Sequence, residues 1–300
     1  MKRLIVVYNP RSSRYEDVKR EVLEKTKDLK GFMIGKYEVE KTDVDKNAQK
    51  LAKILEDGDL LISAGGDATG VISANAILKS EKDITLAVLP YGNFNDLSRT
   101  LGTKSLENIF KSSCQKYYPL EIFVDGKFFR YATCYVTIGM TAEAVKLYDK
   151  PKMRKILKTS IGRKVGSYTN LASWYFKNRH KKQFLSEFKL NGELKPKKTS
   201  DYCAINGRYM ARVMKGGEDY KDPKIFHSRT DRLTNFFRLV SLMIRSIFKR
   251  TPGTETTGDV IEFLGPATIE LQAEGEYRVF KDIKKIEIRK AEKCLKVIEN

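Results

Sequence analysis

The chain has 300 residues, of which 41% are hydrophobic and 32% are charged, and its formal net charge is +19. This composition is sufficient for a substantial core and excludes a disordered chain, and no apolar run approaches the length of a membrane span. The charge predicts attraction to nucleic acid, an acidic membrane surface or a nucleotide, although a generally lysine-rich proteome would give the same charge without a function.

The first 120 residues alternate apolar runs with stretches of helical spacing. The runs predict strands at 4–8, 60–64 and 85–89, and the stretches predict helices at 15–29, 46–55 and 69–78. Alternation of this kind is typical of a layered βαβ domain with a mostly parallel sheet. We therefore predict an α/β N-terminal domain at residues 1–120.

Beyond residue 118 the pattern changes to short strand-like runs separated by turn residues. Asp125-Gly126 and Asn191-Gly192 are predicted hairpin turns. The predicted strands are 120–124, 128–138, 184–190, 202–206, 260–263, 268–272 and 283–289. This pattern predicts a β-rich, antiparallel, sandwich-like C-terminal domain with helical insertions at residues 121–290.

A predicted strand runs directly into Gly65, Gly66 and Asp67. Two glycines let the backbone come close to a bulky anion, and the amide groups that open the next helix point to the same place. Asp67 would add one carboxylate there, for a divalent metal or an attacking hydroxyl. A tight turn with Asp67 as a helix cap is the alternative interpretation.

A second strand has the same construction and ends at Gly92, Asn93 and Asn95. Ligands of parallel α/β sheets lie at the carboxyl ends of the strands, where both junctions fall. Two such junctions in one domain indicate a phosphate-handling cleft. The Asn95-Asp96 pair is also a suitable helix N-terminus.

Far downstream, Glu274 and Glu276 flank Gly275. In an extended strand the two carboxylates would share a face, where each can raise the pKa of the other and give one of them general-base character. An exposed surface turn is the alternative, and the residues alone favour it.

These segments together resemble the diacylglycerol kinase catalytic-domain family, which includes sphingosine and ceramide kinases and bacterial lipid kinases. Residues 9–13 (Asn-Pro-Arg-Ser-Ser) resemble its Asn-Pro-x-Ser-Gly, and residues 65–69 (Gly-Gly-Asp-Ala-Thr) resemble its Gly-Gly-Asp-Gly-Thr. Residues 90–96 (Pro-Tyr-Gly-Asn-Phe-Asn-Asp) are similar to Pro-x-Gly-Thr-x-Asn-Asp, and residues 274–276 to Asp-Gly-Glu. The order and spacing agree along nearly the whole chain.

The resemblance implies a lipid kinase that uses ATP and Mg²⁺, with diacylglycerol as the default acceptor. Asp67 would position the metal-bound nucleotide or the acceptor and would be the tentative metal ligand, while Glu274, with Glu276 beside it, would activate the acceptor hydroxyl. The nucleotide side would be formed by Asn9, Ser12, Gly65, Gly66, Thr69, Gly92, Asn93 and Asn95. The last residues, 291–300, would supply a strand that returns to the first domain.

Four positions depart from the family pattern: Ser13, Ala68, Asn93 and Glu274. Ala68 replaces a glycine and does not readily take a left-handed conformation, so that turn is expected to differ. The departures keep two alternatives open. One is a soluble kinase of the same superfamily, similar to NAD kinases, and the other is a non-catalytic binder of nucleotide or lipid.

Two basic stretches, at 150–186 and 233–250, are candidates for a membrane contact. The second has apolar residues at helical spacing, and a basic amphipathic helix can lie on an anionic bilayer. A helix packed on the β domain with a solvated basic back is the alternative. We expect a cytoplasmic, membrane-peripheral protein with a lipid partner and no specific nucleic acid, and a homodimer remains open. The four cysteines are expected to be buried, and the two histidines to be incidental.

Overall fold

The computed structural model of the protein describes residues 2–147, 159–178, 188–195, 199–210, 214–215, 224–231, 236–248 and 253–300. These residues form two compact units. One contains the chain up to Pro119 together with Ala291–Asn300, and the other is Leu120–Lys290. Parts of the predicted basic stretches, at 150–158, 179–186, 233–235 and 249–250, lie outside the described residues, as does His180.

The first unit alternates strands and helices, as predicted. Its elements are β1 (Lys2–Tyr8), α1 (Tyr15–Val18), a π-helical turn (Lys19–Leu23), α2 (Glu24–Lys27), β2 (Phe32–Glu38), α3 (Val44–Ile54), β3 (Leu60–Gly65), α4 (Asp67–Ser80), β4 (Thr85–Pro90), α5 (Asp96–Leu101), α6 (Leu106–Ile109) and β5 (Ser113–Tyr117). β3 is buried at every position but its first, which is typical of a strand inside a parallel sheet.

The six strands of this unit lie in the order β2-β1-β3-β4-β18-β5, where β18 is Leu295–Glu299. All neighbours are parallel except β18 and β5. The core under the sheet includes the fully buried side chains of Leu4, Val6 and Ile62. The strand order brings the carboxyl ends of β3 and β4 side by side, because these two strands are parallel neighbours.

The second unit is built on an antiparallel sheet. Its elements are β6 (Leu120–Val124), β7 (Lys127–Ala132), β8 (Tyr135–Gly139), α7 (Met140–Ala144), a 3₁₀ turn (Val145–Leu147), α8 (Ser160–Asn178), β9 (Phe188–Leu190), β10 (Glu193–Leu194), β11 (Thr199–Ile205), β12 (Tyr209–Met210), β13 (Met214–Lys215), β14 (Ile225–Asp231), α9 (Phe236–Ile247), β15 (Thr254–Thr256), β16 (Gly258–Ala273) and β17 (Glu276–Lys290).

Ten of these strands form one sheet, with the main path β15-β14-β11-β8-β16-β17-β6-β7, with β9 paired to β16 and with β10 paired to β9. The mixed α/β class of the first unit and the antiparallel β class of the second are both confirmed. The predicted turns are also found, because Asp125 and Asn191 have φ of 48° and 52° and are each followed by a glycine with positive φ.

Several predicted boundaries were wrong. The edge strands β2 and β5 were missed: the apolar start of β2 is interrupted by Gly35, and β5 is mostly polar and exposed. The run at 128–138 is two strands with different neighbours, separated at Thr133 and Cys134. The runs at 260–263 and 268–272 are one strand, β16, which continues through a register shift between Glu262 and Ala267.

Two of the four cysteines also differ from the prediction. Cys134 and Cys203 are buried, but Cys114 is exposed and Cys294 is partly exposed. Cys114 lies on the edge strand β5, where side chains are open to solvent. Among the helices that the structure describes, none has the length and apolar content that a membrane crossing requires.

Candidate functional site

The junction between β3 and α4 brings two glycines of different motifs into close approach. Gly66 caps α4 with extended backbone angles (φ −92°, ψ −171°), so a left-handed conformation is not the reason for glycine here. The reason is space, because a Cβ at Gly66 would lie 3.3 Å from the Cα of Gly92, and a Cβ at Gly92 would overlap the Cα of Gly66 and come within 2.9 Å of the Asn95 Oδ1. The two glycines therefore let the turns after β3 and β4 meet backbone to backbone.

Ala68 lies in this first turn of α4, in right-handed helical conformation and exposed. Ala68 therefore has no left-handed conformation, and its side chain is compatible with the turn that this chain forms. Thr69 is buried, and a methyl carbon at Gly65 would collide with its hydroxyl. The structure thus places the Thr69 side chain against the backbone of β3.

Asp67, the first residue of α4, joins the two motifs through its carboxylate. Oδ1 accepts the backbone N–H of Asp96 at 2.7 Å, and Oδ2 accepts that of Asn95 at 3.1 Å. Burial raises the pKa of Asp67, while these two hydrogen bonds and the charge of Arg99 act in the opposite direction. The carboxylate is therefore fixed in orientation and is a better proton acceptor than an exposed aspartate.

Asn95 shapes the loop that follows β4. Its backbone is left-handed, with φ of 58°, and its side-chain Oδ1 accepts the N–H of Gly92 at 2.6 Å. The Nδ2 donates to the carbonyl of Gly92 at 2.9 Å and to that of Pro90 at 3.3 Å. The predicted nucleotide-side amide is thus engaged with the backbone of its own loop.

The first motif is tied to this same loop. Asn9 Oδ1 accepts the N–H of Arg11 at 3.0 Å, which holds the turn after β1. The Ser12 hydroxyl donates to the carbonyl of Tyr91 at 3.0 Å, and the Ser13 hydroxyl donates to Asn93 Oδ1 at 3.3 Å. The residues predicted after β1, β3 and β4 therefore come together at one edge of the sheet.

Two residues of this edge were missed by the sequence analysis. The guanidinium of Arg14 donates to the carbonyl of Pro90 at 2.8 Å and lies 5.2 Å from the ring centre of Tyr91. The buried Tyr91 donates its hydroxyl to Glu21 at 3.0 Å, and burial raises the pKa of this phenol. Neither residue carries a spacing signal, because their partners come from a distant part of the sequence.

Within the part of the chain that the structure describes, no three His, Cys, Asp or Glu side chains cluster as a metal site would require. Asp67 remains the candidate ligand, with both oxygens already accepting backbone N–H groups. One carboxylate together with phosphate oxygens is a set that suits Mg²⁺, which keeps several waters and binds through few protein ligands.

Glu274 is the candidate acid of the second unit, and it lies in the turn between β16 and β17. Glu274 and Gly275 have φ of 50° and 89°, as in a two-residue hairpin turn. Glu274 is nevertheless buried, and its Oε1 accepts the Thr133 hydroxyl at 2.5 Å and the N–H of Cys134. Both expectations were therefore wrong, since Glu274 belongs neither to an extended strand nor to an exposed turn.

Glu276 opens β17 and has a different environment from Glu274. Its Oε2 is 2.5 Å from the guanidinium of Arg130, which is 1% exposed, and its Oε1 is 2.7 Å from Arg278. The Arg130 guanidinium also lies over the Phe129 ring. The carboxylate of Glu276 is thus committed to two arginines, and the predicted pairing with Glu274 on one strand face is corrected.

Two further buried carboxylates were not predicted. Asp201 accepts the N–H of Thr141 at 2.9 Å and also its hydroxyl. Asp259 is fully buried, receives the Tyr202 hydroxyl and lies 2.7 Å from Nδ1 of His227. His227 therefore has a defined partner, which its isolated place in the sequence did not indicate.

Comparison with known proteins identifies the relatives of the first unit. Residues 3–117 match the family model described as the diacylglycerol kinase catalytic domain. The diacylglycerol kinase of Bacillus subtilis (strain 168) is 33% identical over 115 residues, which are 38% of this chain and 37% of that protein. That of Staphylococcus carnosus (strain TM300) is 33% identical over 102 residues, 33% of each chain. The match thus spans little more than a third of these curated relatives.

The fold is similar over a longer range. A crystal structure described as a diacylglycerol kinase from Bacillus anthracis str. Sterne superimposes with a TM-score of 0.72 at 17% identity, covering 100% of this chain and 97% of that one. At this identity the similarity concerns the fold alone. The sequence match at residues 3–117 includes the three motifs gathered at the sheet edge, and in this segment the chain is similar to the diacylglycerol kinase catalytic domain.

Proposed function

We propose that this protein is an ATP-dependent lipid kinase, which transfers the γ-phosphoryl group to a lipid hydroxyl, with diacylglycerol as the default acceptor. One observation carries the proposal. Within the segment that matches the family, Asp67 lies at the first turn of α4 and is oriented by the backbone of the second motif. A helix N-terminus favours phosphate, and a carboxylate beside it suits the divalent cation that accompanies a nucleotide phosphate.

The residues at this edge suit a nucleotide. The contact between Gly66 and Gly92 brings the turn after β4 to the first turn of α4, and the amide groups of a helix N-terminus favour an anion. ATP with Mg²⁺ would supply the phosphoryl group and neutralise its charge. The nucleotide would contact the backbone at Gly66 and Gly92 and the side chain of Asn93. Asp67 would bind the Mg²⁺ ion.

Asp67 would act through position and charge. Phosphoryl transfer needs aligned groups more than covalent help from the protein, and a carboxylate held by two backbone N–H groups loses little entropy when the substrates bind. In the second unit, Glu274 would serve the acceptor, a role that comes from the family resemblance. Thr133 and Cys134 fix one oxygen of its carboxylate, which supports a positioned base.

A lipid acceptor would place the reaction at a membrane surface. The net charge of +19 would favour a membrane with anionic lipids. Cytoplasmic, membrane-peripheral localisation, a homodimer and the lack of specific nucleic-acid binding stay predictions.

The test is transfer of labelled γ-phosphate from ATP to an organic-extractable product. The full chain would be incubated with Mg²⁺ and mixed vesicles containing diacylglycerol, monoacylglycerol, sphingoid base and ceramide. We expect label in one lipid, with phosphatidate as the default product. Label in a water-soluble alcohol or in NAD⁺ would instead support a soluble kinase, and ATP binding without any transfer would support a non-catalytic binder.

A further inference from the structure

Helix α9 exposes an apolar stripe. Phe237, Ile244 and Phe248, which follows the helix directly, are 81%, 50% and 68% exposed. Their spacings of seven and four residues place them on one face over three turns. A soluble surface helix normally turns its apolar stripe inward, so this stripe needs an apolar surrounding from outside the chain.

A row of positive charge runs beside this stripe. Arg238 and Arg245 are both exposed, and each follows a stripe residue by one position. From Arg232 to Thr254 the sequence contains no acidic residue. The helix thus presents apolar and cationic surface together, and the alternative of a buried apolar face with a solvated basic back is corrected for these positions.

The helix is also anchored to its own unit, since it packs on α8 and β13. Helix α8 exposes Val165 and Phe176, which are eleven residues apart and therefore also share a helix face. The exposed apolar side chains of α9 thus belong to a helix that is held by tertiary contacts, so little ordering is needed before they can insert into another phase.

We propose that α9 docks the protein on an anionic bilayer, with Phe237, Ile244 and Phe248 inserted into the headgroup and acyl-chain boundary and Arg238 and Arg245 against lipid phosphates. The inference rests on the proposed function, because a lipid acceptor brings the enzyme to a bilayer. The positive charge of Arg238 and Arg245 favours an anionic bilayer over two other partners. A second copy would bring like-charged arginine rows together, and nucleic acid offers phosphate but no apolar phase for the stripe.

Vesicle sedimentation of the full chain tests the stripe. We expect the double variant Phe237→Ser/Phe248→Ser to bind anionic vesicles at least about a hundredfold more weakly, roughly tenfold for each phenylalanine. Leu264→Ser is the matched control, since Leu264 is as exposed as Ile244, at 50%, and lies on β16. The control should bind like the wild type. Equal binding by the double variant would overturn the proposal.

A separate variant tests how much the positive charge contributes to vesicle binding. Arg245→Gln should weaken binding to anionic vesicles about fivefold at low salt and leave binding to neutral vesicles unchanged. Lys281→Gln removes one charge from an exposed position on β17 and should have a smaller effect. Equal wild-type affinity for neutral and anionic vesicles at low salt would overturn the electrostatic part.

Insertion is measured with an added tryptophan. The native Trp174 is buried, so a new indole reports its own surroundings. Vesicle lipids with brominated acyl chains should quench Phe248→Trp and leave Leu264→Trp unquenched. If neither is quenched, and sedimentation velocity shows that the double variant instead breaks a dimer, the stripe is a contact between copies and the proposal is wrong.

Failure of docking and failure of the kinase proposal give different results. Vesicle binding that depends on Phe237 and Phe248, without transfer to any lipid, would support docking and contradict the kinase. Transfer to vesicle lipid that is unchanged in the double variant would support the kinase and contradict docking.

Discussion

Gly92 is the residue at which the geometry of the candidate site is most sensitive to one carbon atom. A Cβ at this position would overlap the Cα of Gly66, and neither backbone can move aside cheaply because both belong to motif turns. We predict that Gly92→Ala lowers the free energy of unfolding by about 1–3 kcal/mol and weakens ATP binding. Urea unfolding and a nucleotide titration measure the two effects.

Gly70, in the second turn of α4, provides the control. A Cβ there would meet Leu97 Cδ2 at 3.6 Å, an ordinary contact, and alanine is the better helix former. Gly70→Ala should therefore leave ATP binding unchanged and raise the stability by up to about 1 kcal/mol. Equal effects of the two substitutions would contradict the packing of Gly66 against Gly92.

Asp201 predicts a pH dependence of stability. Burial raises its pKa to about 7 from the ordinary 3.8. Between these two values the native state holds a proton that the unfolded chain has released, so stability falls as the pH rises through this window and is constant above it. The Asp201→Asn variant cannot ionise and lacks this loss.

The measurement is urea unfolding of the wild type and Asp201→Asn from pH 4 to 8. Relative to the variant, the wild type should lose on the order of 2–4 kcal/mol across the window. Parallel stability curves for the two proteins would show that Asp201 does not hold a proton in the native state.

At the scale of elements, Glu274 and Glu276 of the β16–β17 hairpin have different partners, and we expect them to have different roles. Glu276 binds Arg130, which is buried, and Arg278, which is about 39% exposed at its side chain. We predict that Glu276→Gln costs about 2–3 kcal/mol of stability, below the roughly 3–5 kcal/mol of a fully buried pair. Arg278→Gln should cost less than about 1 kcal/mol, because its pair is largely solvated.

Kinetics distinguish this structural role from catalysis. Where Glu276→Gln remains folded, kcat should stay within a few-fold of the wild type, while Glu274→Gln should lower kcat strongly. A loss of kcat in the folded Glu276→Gln protein that matches the loss in Glu274→Gln would restore Glu276 as a catalytic residue.

The features that could be predicted from the sequence are those that depend on residues close together in the chain. Gly66 and Asp67 were found because a strand, a glycine turn and a helix start are local patterns. The partners of Glu274 and Glu276 were not, since Thr133 and Arg130 lie 141 and 146 positions away. Periodicity identified α9 as amphipathic, but spacing alone does not say which face meets solvent.

At the scale of the whole molecule, the chain consists of two units of different structural class. The match to the family covers residues 3–117, yet the first sheet also needs β18, which lies between β4 and β5. β18 buries Leu295 and Val297 completely. The class of each unit was predictable from the alternation of strands and helices in one and of strands and turns in the other. The strand order was not, because it depends on pairing between distant segments.

The proposed phosphoryl transfer to a lipid depends above all on Asp67, and a comparison of three proteins tests this role. Transfer from labelled ATP to vesicle lipid would be measured for the wild type, for Asp67→Asn and for Asp83→Asn, an exposed pair partner of Lys296 in the same unit. We predict that Asp67→Asn loses transfer at least about a hundredfold while the chain remains folded and ATP still binds, and that Asp83→Asn retains it. Transfer by Asp67→Asn within a few-fold of the wild type would contradict the account.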